Sequence, residues 1–147
     1  MSWLRTRDIK DSQVTNAKLG TRVMHVQKYT YDFTSQGGAI SVITLTSDTG
    51  TAQTLPDNAV LLGATCEVVT AVTSGGAATL DFGYAADPNY FLNAEGKASF
   101  DADGKAVKME LSTPTKLTSA QGLVMEIKAH AVTAGKLNVW VRYYQGD

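Results

Sequence analysis

Apolar side chains recur at every second position along most of this chain, and almost nowhere at the three-to-four spacing of a helix. Successive side chains on a strand point to opposite faces, so the pattern commits the chain to half-buried strands. It is clearest at 137–144, where Leu137, Val139, Val141 and Tyr143 alternate with Asn138, Trp140, Arg142 and Tyr144. Upstream, Leu123, Met125, Ile127, Ala129 and Ala131 alternate with Val124, Glu126, Lys128 and His130, and Thr133-Ala134-Gly135 reads as the turn of a C-terminal hairpin. Val60, Leu62, Ala64, Cys66, Val68 and Val72 share one parity; Thr73-Ser74-Gly75-Gly76 then turns the chain, and Ala78, Leu80, Phe82 and Tyr84 return as a second hairpin. Tyr29, Tyr31 and Phe33, the Ser35-Gln36-Gly37-Gly38 turn and the β-branched run at 40–46 predict a third. Val107, Met109 and Leu111 mark a shorter strand between the Asp103-Gly104 turn and Pro114.

Two stretches interrupt this rhythm, 47–58 with Pro56 and 85–96 with Asp87-Pro88-Asn89, and both read as long loops of the kind that carry contacts. About seven to eight strands separated by turn signals predict an all-β chain, an antiparallel β-sandwich or jelly-roll-like domain over residues 23–147. Residues 1–22 lack the alternation and contain one helical turn, Thr15 capping Asn16 to Leu19 before Gly20. They read as an extended N-terminal arm. Trp3, Leu4, Ile9, Val14 and Leu19 are too sparse to build a core and are suited to anchoring the arm on another surface.

At 147 residues the chain is long enough for one domain with a core of its own, without metal or disulfide. The single cysteine, Cys66, rules out an intramolecular disulfide and suits folding in a cytosol. No apolar run approaches the roughly twenty residues that cross a membrane, and no signal-peptide core follows the first residues. Neither a membrane nor a nucleic-acid partner is expected, since a net charge of -1 leaves no general basic stripe for phosphates. That total hides a division. Residues 1–22 hold five basic and two acidic side chains; 29–96 hold seven acidic and no basic ones; from Lys97 onward seven basic face five acidic. The division reads either as drift on a solvated surface or as unlike faces that meet between neighbouring subunits.

Catalytic chemistry is poorly provided for. Nucleophilic hydrolysis needs a base beside the nucleophile, and only His25 and His130 are available. His130 sits at the outward parity of its strand, and His25 lies where alternation slips, as at a bulge. Cys66 shares parity with Leu62, Ala64 and Val68 and reads as a buried small hydrophobe. Asp101-Ala102-Asp103-Gly104 lacks the glycine position and closing acid of a calcium loop and reads as a turn. Gly37-Gly38 and Gly75-Gly76 open no helix and so cradle no phosphate. No catalytic, cofactor or metal residues are assigned, and the chain is not read as an enzyme.

The outward parity of the last strand carries Trp140, Arg142 and Tyr144. Trp, Tyr and Arg are the residues most enriched at binding hot spots, and large side chains on a second sheet face mean that this face is covered too. A further layer of the same domain, a symmetry mate or a ligand such as a sugar would each serve.

The string Ile9-Lys10-Asp11-Ser12-Gln13-Val14-Thr15-Asn16-Ala17-Lys18-Leu19 resembles an I-x-D-x-x-V-T-x-x-K-L segment of structural proteins of tailed bacteriophages. Leu55-Pro56-Asp57-Asn58-Ala59-Val60-Leu61-Leu62, leading into an alternating strand and a Ser-Gly-Gly turn, is similar to the small β domains of phage capsid decoration proteins and fibres. The resemblance implies a virion component on the capsid surface, a trimer of sandwich or jelly-roll domains, folded in the host cytoplasm and reaching its site through an N-terminal arm. With one domain and no internal repeat, it implies a decoration (cement) protein bound to the major capsid protein. Trp3, Leu4, Arg5, Arg7, Ile9 and Leu19 would then anchor the arm, and Trp140, Arg142 and Tyr144 would join subunits. The alternative is a head-fibre or tail-fibre receptor-binding module in which the 85–96 loop, with Asp87, Tyr90 and Phe91, contacts host glycan. A tail adaptor is a further rival.

Overall fold

The alternation builds strands throughout residues 23–146, those that the structure, a computed structural model, describes. Strand β1 (Met24–Asp32) runs into a one-turn helix, α1 (Phe33–Gln36), followed by β2 (Val42–Thr44), β3 (Thr54–Leu55), β4 (Ala59–Ser74), β5 (Thr79–Tyr84) and β6 (Asp87–Gly96). A 3-10 turn at Lys97–Phe100 leads to β7 (Ala106–Lys116), β8 (Gln121–Lys128) and β9 (Val132–Gln145). One antiparallel sheet has the order β1-β9-β4-β7; the other has β2-β8-β5-β6, with β3 also on β8. The pair is an antiparallel β-sandwich, the all-β class that a period of two predicts.

The pairing of strands departs from the reading of the turns. β1 pairs with β9 and β2 with β8; β4 lies between β9 and β7, whereas β5 lies between β8 and β6; β8 and β9 belong to different sheets. All three expected hairpins are therefore crossings from one sheet to the other. A Gly-rich turn reverses the chain equally well within a sheet or between two, and the choice falls to where each apolar face finds cover. The hairpin that does form between consecutive strands is β5-β6, and it takes in 85–96, the stretch expected as a loop. Thr133-Ala134-Gly135 lies inside β9, and the chain turns earlier, where Ala129 has φ 66. The 47–58 stretch is irregular apart from β3 and a bridge at Ala52. β7 continues through Pro114 to Lys116, which an edge strand tolerates because its outer N–H groups have no partner strand.

Between the sheets, Tyr29 and Tyr31 of β1, Cys66 and Val68 of β4, Met109 of β7 and Leu137, Val139 and Val141 of β9 meet Leu80 and Phe82 of β5 and Leu123, Met125 and Ile127 of β8. Phe100 from the 3-10 turn is fully buried beside Phe82, with ring centroids 5.9 Å apart. Each such side chain contributes roughly 1.5–3 kcal/mol by leaving water. The shared parity expected for Val60 to Val68 breaks at a bulge between Leu61 and Gly63, so that Leu61 and Ala64 are both buried.

Along one long edge the two sheets are joined. Thr30 N–H donates to the Thr46 carbonyl at 2.7 Å and Thr46 N–H returns to Thr30 at 3.3 Å. The Gln27 amide donates to the Thr54 carbonyl at 3.1 Å, and the Gln53 amide to that of Lys28. The bonds to Thr30 and Lys28 occupy main-chain groups of β1 that would otherwise template another strand. Among the described residues, no helix is long and apolar enough to cross a membrane.

Candidate functional site

The outer face of the β1-β9-β4-β7 sheet is built in cross-strand rows. Met24 of β1 stands beside Tyr144 of β9 and Val60 of β4; Val26 beside Arg142 and Gly63; Lys28 beside Trp140 and Thr65. β7 extends the rows with Lys116, Glu110 and Lys108. Met24, Val26, Trp140 and Tyr144 are all exposed, from 36% for Trp140 to 54% for Val26, and share one flank of the face. Four exposed apolar side chains gathered on a single sheet face form one patch rather than scattered exposure.

Two cations are held against this patch. Lys28 Nζ lies 5.4 Å from the centre of the Trp140 ring, within cation–π range, and 3.8 Å from Asp48. The Arg142 guanidinium donates to Thr65 Oγ1 at 3.0 Å and lies across Gly63, where an added Cβ would come within 2.9 Å of Nη2. Glycine thus lets the guanidinium lie flat on the sheet. Glu110 completes the outer row: hydrogen bonding to Lys108, with the charge of Arg142 adding to it, lowers its pKa.

Trp140, Arg142 and Tyr144, singled out by their parity, are brought together here. Met24 and Val26 were missed. Their signal was present, because carrying the parity of Tyr29 and Tyr31 back to residue 24 sets both on the outer side. His25 continues the unbroken β1-β9 register opposite Tyr143 and stacks on it at 5.2 Å, so there is no bulge at this position. The arm residues Trp3, Leu4, Arg5, Arg7, Ile9 and Leu19 lie outside the described residues.

The expected ligand loop is corrected. Asp87, Tyr90 and Phe91 lie in strand β6, and Phe91 is 5% exposed within the core. Tyr90 packs between Tyr84 and Phe91, with ring centroids 5.0 and 5.2 Å away. Aromatic residues in a Pro-containing stretch signal a recognition loop and an edge strand alike.

The segregated charge is partly spent inside the chain. Asp32, Asp48 and Asp81, all from the stretch without basic residues, meet Lys136, Lys28 and Lys128 from its flanks. Asp32 also caps α1 through Thr34 N–H at 2.9 Å; that bond first, and Lys136 second, lower its pKa. Asp81 is fully buried on the outer side of β5, accepting from Ala94 N–H at 2.6 Å and from Lys128 at 2.5 Å. Those two partners satisfy a carboxylate that burial would otherwise strand.

Elsewhere, side chains with possible chemistry are occupied structurally. Cys66 is buried in the core, which pushes its thiol up to about 12 and keeps it neutral. Asp103 accepts from Ala71 N–H at 2.7 Å and Asp101 pairs with Lys105 at 2.6 Å, fixing the turn at Gly104 (φ 81). Among the described residues, no three His, Cys, Asp or Glu side chains gather as a metal site.

Fold and face together define an all-β sandwich protein whose distinguishing surface is a flat aromatic sheet face flanked by cations. Comparison with solved structures gives that class particular relatives in shape. The chain is similar to one in the acidic stable capsid structure of Helicobacter pylori bacteriophage KHP30, at 22% identity and TM-score 0.61, over 87% of this chain and 92% of that one. It is also similar to a chain of the cyanophage Pam1 capsid asymmetric unit, at 21% identity and TM-score 0.61, over 82% and 84%. At these identities the likeness is one of fold. No family model matches the sequence, and no curated protein does.

Proposed function

We propose that this protein is a structural component of a tailed-bacteriophage virion, a decoration (cement) protein that binds the major capsid protein as a trimer and reinforces the shell. The observation that carries the reading is the likeness to chains of two phage capsid structures over nearly the whole of each chain. Near-equal coverage on both sides makes those chains close to this one in length, so the match is between small chains rather than with a part of a large shell subunit. The resemblance of the 9–19 and 55–62 segments to phage structural proteins supports the same reading, and so does the aromatic face, a surface suited to a protein partner rather than to catalysis.

Mechanically, such a protein spans adjacent shell subunits and adds buried interface against the outward push of packaged DNA. Three linked copies raise effective affinity without any single contact being tight. Residues 1–22 serve as the arm, with Trp3, Leu4, Ile9 and Leu19 as apolar anchors and Arg5 and Arg7 as cationic ones; Trp140, Arg142 and Tyr144 belong to subunit contacts. The test is a chain lacking residues 1–20, mixed with undecorated capsids and counted by gel densitometry or particle imaging. Occupancy is expected to fall at least tenfold while the truncated chain stays folded. Wild-type occupancy would remove the arm from the mechanism, and failure of the full-length chain to bind capsids would remove the decoration role.

A further inference from the structure

The apolar patch on the aromatic face begins where the N-terminal segment joins the sandwich. Met24 is the first residue of β1 and stands beside Tyr144; Val26 and Trp140 lie in the next two rows. These four side chains are 36–54% exposed. From the row of Met24 to that of Trp140 the patch is four residues long, about 13 Å at the rise of a strand. Apolar area gathered in this way is stabilised by any cover that removes it from water.

The segment before β1 carries apolar residues with the same need. Val14 and Leu19 belong to residues 1–22, which lack the alternation to build a sheet. Only Gly20, Thr21, Arg22 and Val23 separate Leu19 from β1. Glycine takes the φ values of a tight turn without steric cost, so the chain can reverse there and run back over β1 and β9. Val14 and Leu19 are five positions apart, up to about 17 Å in extended chain, enough to set Leu19 by Met24 and Tyr144 and Val14 by Trp140. The outer main chain of β1 is already bonded at Thr30 and Lys28. A returning segment therefore gains by covering the face rather than by adding a strand beside β1. Tethering favours this segment over any separate partner, because a short link holds it near the patch at an effective concentration of roughly millimolar.

We propose that in the free protein residues 14–19 lie on the Met24/Val26/Trp140/Tyr144 face of their own chain. The arm closes this face, and the face opens only when the arm leaves it. In the decoration role proposed above, on which this consequence rests, transfer of the arm to the shell bares the face for a neighbouring subunit and so ties subunit contact to docking.

The experiment uses the full-length chain. The sequence has two tryptophans, so Trp3→Phe leaves Trp140 as the single one. Acrylamide quenching of its fluorescence is compared between this chain and the same chain carrying Val14→Ser and Leu19→Ser, with circular dichroism as the check on folding. In the double-serine chain the quenching constant is expected to at least double and the emission to move to longer wavelength, at every protein concentration. Equal quenching in the two folded chains overturns the arm as occupant. Protection that disappears on dilution overturns it too, because the cover is then a second copy. If the double-serine chain is unfolded, Val14→Ala with Leu19→Ala replaces it and is read in the same way. No capsid takes part, so a negative result leaves the decoration role standing, and a chain that fails to bind capsids leaves the seat of the arm standing.

Discussion

Gly63 decides how Arg142 is presented. Its φ of 154 lies where side chains are strained, and a Cβ there would meet Arg142 Nη2 at 2.9 Å and the Met109 carbonyl at 3.1 Å. Gly63→Ala is expected to lower stability by about 1–3 kcal/mol and to lift the guanidinium off Thr65. Urea denaturation measures the first effect; an unchanged midpoint would mean that the side chain swings away without cost. Trp140 and Tyr144 were legible in the sequence because their parity opposes four core residues. Arg142 was legible by the same parity; the glycine beneath it was not, because the bulge at Leu61/Gly63 sets Gly63 opposite Arg142 by shifting register between strands more than seventy positions apart.

At the scale of elements, β6 is held by one buried carboxylate. Asp81 accepts from Ala94 N–H, and Ala94 has φ 55 at the irregularity between the Leu80/Glu95 and Phe82/Leu92 pairs. Asp81→Ala leaves that N–H without its acceptor and leaves Lys128 with Glu126 alone, taking away the hydrogen bond to Asp81 that chiefly holds up its pKa. The expected cost is about 1–3 kcal/mol, concentrated in faster amide exchange at Ala94 and along β6; uniform exchange across both sheets would contradict a local role. The strand content of the molecule could be read from alternation, but this element could not. Pro88, Asp87 and Asn89 signal a turn, and only packing over Gly83, where a Cβ would come within 2.0 Å of the Asp87 carbonyl, explains why the turn is tight enough for pairing.

For the whole molecule, the buried tyrosines and the thiol set an alkaline limit. Burial raises Cys66 and Tyr31 to about 12, from 9.0 and 10.0, and raises Tyr29 and Tyr143 in the same direction. The fold holds the neutral forms, and the unfolded chain ionises first. Stability is therefore complete below about pH 9 and falls as pH rises through the unfolded values toward 12, each group steepening the loss by at most about 1.4 kcal/mol per pH unit. Denaturation midpoints at pH 8, 9, 10 and 11 check this, and a flat profile would contradict it. By itself the sequence determined that the chain is all-β, which residues face the core on most strands, and that one sheet face carries rings in water, because a period of two is a local property of the backbone. Tertiary structure alone decided which strands are neighbours. A Ser-Gly-Gly turn costs the same within a sheet as between sheets, and only the burial of two apolar faces against each other, across more than a hundred positions from β1 to β9, selects the crossing.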